Sequence, residues 1–325
     1  MTAEIAILNR VAVALAADSA LTISSRSNQR KERVWKTTNK LFSLSPENDI
    51  GIMIFGAGDF CGTPWETVIK LFIQSKNDSF DTIFDCVESF VDFLKNFDKT
   101  KSNYSYLNSH FLLDDLVQDC LRDQYLGANK LERRNAVKTS ISATLSNMDI
   151  FDIFDDNLSK NDFITEFKHF IDECIDDEST IHVTMEIKKL IYDVCFEGLR
   201  RKVRSGFETG IVITGFGATQ NLPHLTSFWV DGFSPFGLRY WLGNSAEVSV
   251  EQDAYIVPFG QSDISHLFME GIEPDYIDFL RGTISDVLSK KSDDIISTYV
   301  SEDEQIVEKK LQKSRKFCHS KSSSR

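Results

Sequence analysis

The sequence predicts an α+β fold in which a β-rich segment is followed by a long helical segment and then by a return to strands. Three observations carry this expectation. Short runs of Val, Ile, Leu and Ala bounded by Gly, Asn and Asp recur through residues 1–79 and 206–288. Apolar residues at spacings of three and four dominate an acidic stretch, 80–205, expected to be a helical insertion. Ser, Lys, Asp and Glu prevail over 289–325, which reads as a disordered polar tail.

Along the chain, Ala3 to Leu8 and Val11 to Ala17 read as two strands joined at Asn9-Arg10, with Asp18 and Ser19 closing the second. A polar loop, Ser24 to Arg33, precedes two more strands, Lys40 to Leu44 and Ile50 to Phe55. Gly56, Gly58 and Asp59 end that block; Thr63 then reads as a helix N-cap with Pro64 at the first helical position. Phe80, Phe84, Val87, Val91 and Leu94 define one helix face. Leu112, Leu116 and Cys120 define a second, and Ile164, Phe167, Phe170, Ile171 and Ile175 a third; all are read as core. Gly210 to Gly217 reads as a buried strand, and His224 to Gly232 as an alternating strand ended by a turn. Ala254 to Phe259 reads as a strand and Asp263 to Gly271 as a short helix.

Composition narrows the partners. Asp and Glu number 49 against 36 Lys and Arg, a net charge of -13, so the basic footprint that nucleic acid requires is missing. No run approaches the roughly 18 apolar residues of a membrane span. The apolar run Ile5 to Ala17 is broken by Asn9 and Arg10 and has no basic leader, so a cytoplasmic protein is expected. The six cysteines, Cys61, Cys86, Cys120, Cys174, Cys195 and Cys318, form no CxxC pair and read as small buried hydrophobes. No phosphate loop or metal-ligand spacing appears, so neither cofactor nor metal is expected.

Thr2 carries the chemistry. Removal of Met1, which aminopeptidases perform before a small residue, leaves a hydroxyl and a free α-amine on one residue. An α-amine has an unperturbed pKa of about 8, so it can accept the hydroxyl proton near neutrality without a separate histidine. Thr2 opens directly into strand-like sequence, which predicts an end built into a sheet. The hairpin brings Asp18 back beside Thr2, and Lys40 opens the next apolar run. Thr2, Asp18 and Lys40 thus form a candidate nucleophile-activating cluster, with Asp18 holding the lysine and the lysine disfavouring protonation of the amine.

Residues 2–19, TAEIAILNRVAVALAADS, resemble the opening of proteasome β-subunits and of the related bacterial peptidase that partners an unfoldase. Lys40-Leu41-Phe42 resembles that family's strand with a catalytic lysine. Gly56-Ala57-Gly58-Asp59 resembles its oxyanion turn, with the N–H donor at Phe55 or Gly56. Gly260-Gln261-Ser262 stands where the family has Gly-Ser-Gly, placing the assisting serine at Ser262 or replacing it by Gln261. The resemblance implies an N-terminal-nucleophile (Ntn) αββα sandwich, a peptide or protein substrate, a homo-oligomeric ring and an unfoldase partner. The family's late Ser-Gly-Gly segment has no counterpart, and Gly is absent after Gly282. That departure opens a second reading, a non-catalytic assembly or protein-binding subunit inactivated by an altered C-terminus.

Overall fold

The computed structural model describes residues 3–18, 21–23, 33–35, 39–45, 48–76, 79–97, 106–149, 153, 159–260, 271 and 274–299. The chain is an α+β protein that divides into two units, Met1–Ser262 and Asp263–Arg325.

The first unit opens with β1 (Ala3–Asn9), β2 (Val13–Ala17), β3 (Leu21–Ile23), β4 (Arg33–Trp35), β5 (Leu41–Ser45) and β6 (Asn48–Gly56). A two-strand clip, β7 (Asp59–Phe60) and β8 (Thr63–Pro64), leads into α1 (Trp65–Ser75) and α2 (Ile83–Lys95). Four helices follow: α3 (Leu107–Leu121), α4 (Lys130–Ser146), α5 (Lys160–Glu178) and α6 (Met185–Arg200). The chain then returns to strands as β9 (Thr209–Gly215), β10 (His224–Ser234), β11 (Gly237–Glu247) and β12 (Ala254–Gly260). The larger sheets are both antiparallel, one ordered β12-β1-β2 and the other β11-β10-β9-β6-β5.

Strand alternation builds the layers, because successive side chains leave opposite faces of a sheet. Ala6 and Leu8 of β1 and Phe259 of β12 meet Met53 and Phe55 of β6, Val212 of β9 and Leu225 of β10 in one core between the two sheets. Their alternates Ile52, Ile54, Ile211 and Ile213 face the other way and pack on Val68 and Phe72 of α1 and Val87 and Phe90 of α2. Helices α3 to α6 close around a separate core of Leu112, Leu116, Phe163, Phe167, Ile191 and Val194.

Several expectations shift. The turn after β1 extends to Ala12, because Asn9 Oδ1 accepts from the N–H groups of Val11 (2.9 Å) and Ala12 (2.8 Å). Thr63-Pro64 forms the strand β8, and helix α1 begins one residue later, at Trp65. On α2 the buried face is Ile83, Cys86, Val87, Phe90, Val91 and Leu94, while Phe84 stays 48% exposed. Phe84 lies about 100° around the helix from Ile83, which takes the inward position. Because α2 packs on the five-stranded sheet, the insertion with its own core starts at α3, well after residue 80. Asp231-Gly232 does not end β10. Gly232 takes a positive φ of 74° at a bulge, and the strand continues to Ser234.

In the second unit, α7 (Pro274–Tyr299) runs past residue 289, so the boundary drawn there falls inside a helix. Polar composition suggested disorder, yet neither Gly nor Pro interrupts the chain between Gly282 and Tyr299. The expected helix Asp263 to Gly271 lies outside the described residues except for Gly271. Among the described residues no helix is long and apolar enough to cross a membrane.

The inter-sheet core depends on one missing side chain. Phe55 lies across its strand partner Gly210, edge-on to Trp229 with ring centroids 4.9 Å apart, and a Cβ on Gly210 would overlap the Phe55 ring. Gly210→Ala is expected to lower stability by about 1–3 kcal/mol through overpacking, read as a lower urea midpoint at unchanged slope.

Candidate functional site

On the inward face of β1, Glu4 stands in phase with Ala6 and Leu8. A carboxylate carried between two sheets requires a partner. Lys40, just ahead of β5, provides it: Lys40 Nζ donates to Glu4 Oε1 at 2.9 Å, with side-chain exposures of 4% and 0%. Lys40 is held at both ends. Its carbonyl accepts from Ile54 N–H at 3.0 Å. Its neighbour Asn39 donates to Glu66 Oε1 on α1 at 3.2 Å. The carboxylate found on the lysine is therefore that of Glu4, which the sequence reading passed over in favour of Asp18. The signal was present, an acid on the apolar phase of an alternating strand.

Asp18 closes the same end of the hairpin, where its N–H donates to Ala3 O at 3.1 Å. Ala3 is also paired with Gly260, whose φ is +64°. Thr2 and Ser262 lie outside the described residues. Covalent geometry keeps the Cα of Thr2 about 3.8 Å from that of Ala3. The attachment point of the nucleophile candidate is thus flanked by Asp18 on one strand and Gly260 on the other, one residue from Glu4.

The register of β6 separates Phe55 from Gly56. Ile54 N–H points to β5, where it meets Lys40 O, and Ala57 N–H points the other way, to Glu208 O at 3.2 Å. Alternation then turns the Phe55 N–H toward β9 and the Gly56 N–H toward the side of Lys40, past the Lys40–Ile54 pair. Phe55 contributes its ring to the inter-sheet core, and Gly56 is the oxyanion-donor candidate. Only glycine fits there: φ is +92°, and a Cβ would lie 2.6 Å from Glu208 O. A relay holds the turn, with Trp65 Nε1 donating to Thr209 Oγ1 (2.8 Å) and Thr209 Oγ1 donating to Ala57 O (3.0 Å).

No protein-family model, curated protein or solved structure matches the chain.

Three of the described thiols are buried and poor nucleophiles. Burial pushes Cys86 and Cys120 up to about 12, and Cys195 is likewise raised well above the ordinary thiol range. A cavity of about 480 Å³ lies at the opposite end of the sandwich. It is lined by Val11 and Leu15 of the hairpin, Phe42, Asp49 and the Thr214–Phe216 turn.

Behind the Gly56 turn, Glu208 is raised above the usual carboxylate range by burial and by the charge of Asp231, with Arg204 opposing. A raised folded value means that the folded chain binds the proton more tightly than the unfolded chain. Glu208 therefore costs stability as pH rises from its ordinary 4.5 through the raised value, and the cost is relieved on acidification. The melting temperature of Glu208→Gln minus that of the wild type should grow across that interval, as followed by thermal denaturation against pH.

Removing the lysine should be severe. Lys40→Met removes the cation that Glu4 meets at 2.9 Å inside the core, and a loss of about 3–5 kcal/mol is expected. The double variant Lys40→Met/Glu4→Leu should recover most of it, as read by urea denaturation.

Proposed function

We propose that the chain is a threonine-type Ntn hydrolase, similar to proteasome β-subunits, that cleaves peptide or other amide bonds. The observation that carries this reading is the buried Lys40–Glu4 pair at the end of β1, with Asp18 closing the same hairpin end and the Gly56 N–H on the β5 side of β6. Such an arrangement suits an N-terminal residue that must lose a proton from its hydroxyl while its amine stays neutral. The lysine charge disfavours protonation of a nearby amine, and Glu4 holds the lysine in place.

In this reading, loss of Met1 frees the Thr2 amine. Thr2 Oγ attacks the amide carbonyl carbon while its proton passes to the amine. The carbonyl electron pair becomes the oxyanion, which Gly56 N–H receives. Collapse breaks the C–N bond, and the leaving amine takes the proton from the Thr2 ammonium. Water then attacks the resulting ester, and Thr2 Oγ departs with a proton restored. Acylation uses one residue as both nucleophile and base, and in deacylation the same residue is the leaving group, so the position of Thr2 matters more than the acidity of any distant group.

A second reading, a non-catalytic assembly or protein-binding subunit, is favoured by α7, where Tyr276, Phe279, Ile284, Val287 and Leu288 are all more than half exposed. The intact mass of the purified protein, before and after a peptide epoxyketone, separates the two. The epoxyketone reacts with both the hydroxyl and the amine of an N-terminal threonine. The hydrolase reading expects loss of Met1 and one stoichiometric adduct, absent in Thr2→Ala. Retention of Met1 would sink it and leave the assembly role.

A further inference from the structure

The helical insertion is joined to the β core by more than chain connectivity. The strap from Arg201 to Glu208, between α6 and β9, crosses a buried polar cluster on β10 and β11. Asp231 and Arg239 form an ion pair there with both side chains fully buried, Nε to Oδ2 at 3.2 Å. Arg239 donates to Leu199 O in the last turn of α6 and to Val203 O at 2.8 Å. The Asp231 Oδ1 accepts from Ser205 Oγ and from Asn108 Nδ2 on α3, the latter at 3.4 Å. Ser205 Oγ in turn accepts from Phe207 N–H at 3.1 Å, and Phe207 stacks on Phe111 of α3, ring centroids 4.6 Å apart. The strap is therefore clamped between the first turns of α3 and the bulge of β10.

Its far end is the backing of the Gly56 turn. The Glu208 carbonyl accepts from Ala57 N–H and lies 2.6 Å from where a Gly56 Cβ would be, and Thr209 Oγ1 donates to Ala57 O. Arg204 sits over the Trp229 ring at 4.1 Å, and Trp229 meets Phe55 edge-on. We infer that the insertion sets the position of the Gly56 N–H through this strap, which makes Ser205 and Asp231 positioning residues for the oxyanion turn. This inference rests on the hydrolase reading for its catalytic meaning but not for its structural test.

Hydrogen–deuterium exchange on the full chain provides that test. Ser205→Ala breaks the bridge between Asp231 and Phe207, and Phe111→Leu unstacks the strap from the insertion without touching β6. Both should speed exchange at amides 55–60 by about tenfold, the weight of one hydrogen bond to Asp231 in the first variant and of one aromatic contact in the second. Lys138→Ala, which breaks the surface pair with Glu186 on α4 and α6, should leave those amides at the wild-type rate. If Ser205→Ala does not fold, Phe111→Leu alone decides. Exchange that rises over 203–208 but stays at the wild-type rate over 55–60 would overturn the inference, as would an equal rise in Lys138→Ala. In turnover, the two variants should lose about 10- to 100-fold in kcat with KM unchanged. A wild type that neither turns over nor takes the epoxyketone adduct refutes the hydrolase reading, while the exchange pattern still decides whether the strap governs the turn.

Discussion

A lysine and a glutamate buried between two sheets hold the first unit to one arrangement. Taking both charges out of water costs several kcal/mol per ion, and only close, well-directed contact offsets that cost. The Lys40–Glu4 contact at 2.9 Å therefore ties β1 of the three-stranded sheet to the approach of β5 at the edge of the five-stranded one. A slip of β1 by one residue would turn Glu4 outward and Ile5 inward, losing the pair and the Ala6–Leu8 packing together. The register of β1, and with it the place where Thr2 is attached, is over-determined.

The α+β class was legible because strand and helix periods differ and the chain keeps each period over long stretches. The strands β1, β2, β5, β6, β9 and β12 announced themselves by Val, Ile and Ala runs between turn residues. The edge strand β11 did not, since Gly243, Asn244 and Ser245 interrupt its apolar pattern and its outer half faces solvent. Of the candidate site, Lys40 and Asp18 were legible from position, while Glu4 required taking its burial phase literally. The choice between Phe55 and Gly56 could not be made from sequence. It depends on which partner strand ends first, and that is set by pairing between residues far apart in the chain. The Asp231–Arg239 pair was hidden for the same reason. Asp231-Gly232 looks like a turn until Arg239, on the returning strand, and Ser205, on the strap, surround it.

The insertion has a core of its own, and it meets the β layers and the strap both through hydrogen bonds from α3 to Asp231 and Phe233 O and through the Phe167–Phe236 and Phe111–Phe207 ring contacts. Packing of Leu112, Phe163, Phe167 and Ile191 holds the bundle together. A few directed hydrogen bonds and ring contacts determine how it sits on β10. Directed bonds of this kind tolerate little displacement, so the bundle is seated rather than merely tethered.

One neighbour of β1 arrives early in synthesis and the other late. β2 follows within a few residues, but β12, which pairs with β1 from Ala3↔Gly260 to Asn9↔Ala254, is made only after the whole insertion has emerged. Contacts across so long a stretch of chain form slowly and close the sheet last. A chain still on the ribosome thus carries β1 in a two-strand ribbon with one open edge. The order of synthesis therefore completes the sheet around β1 only when nearly all of the first unit has been made.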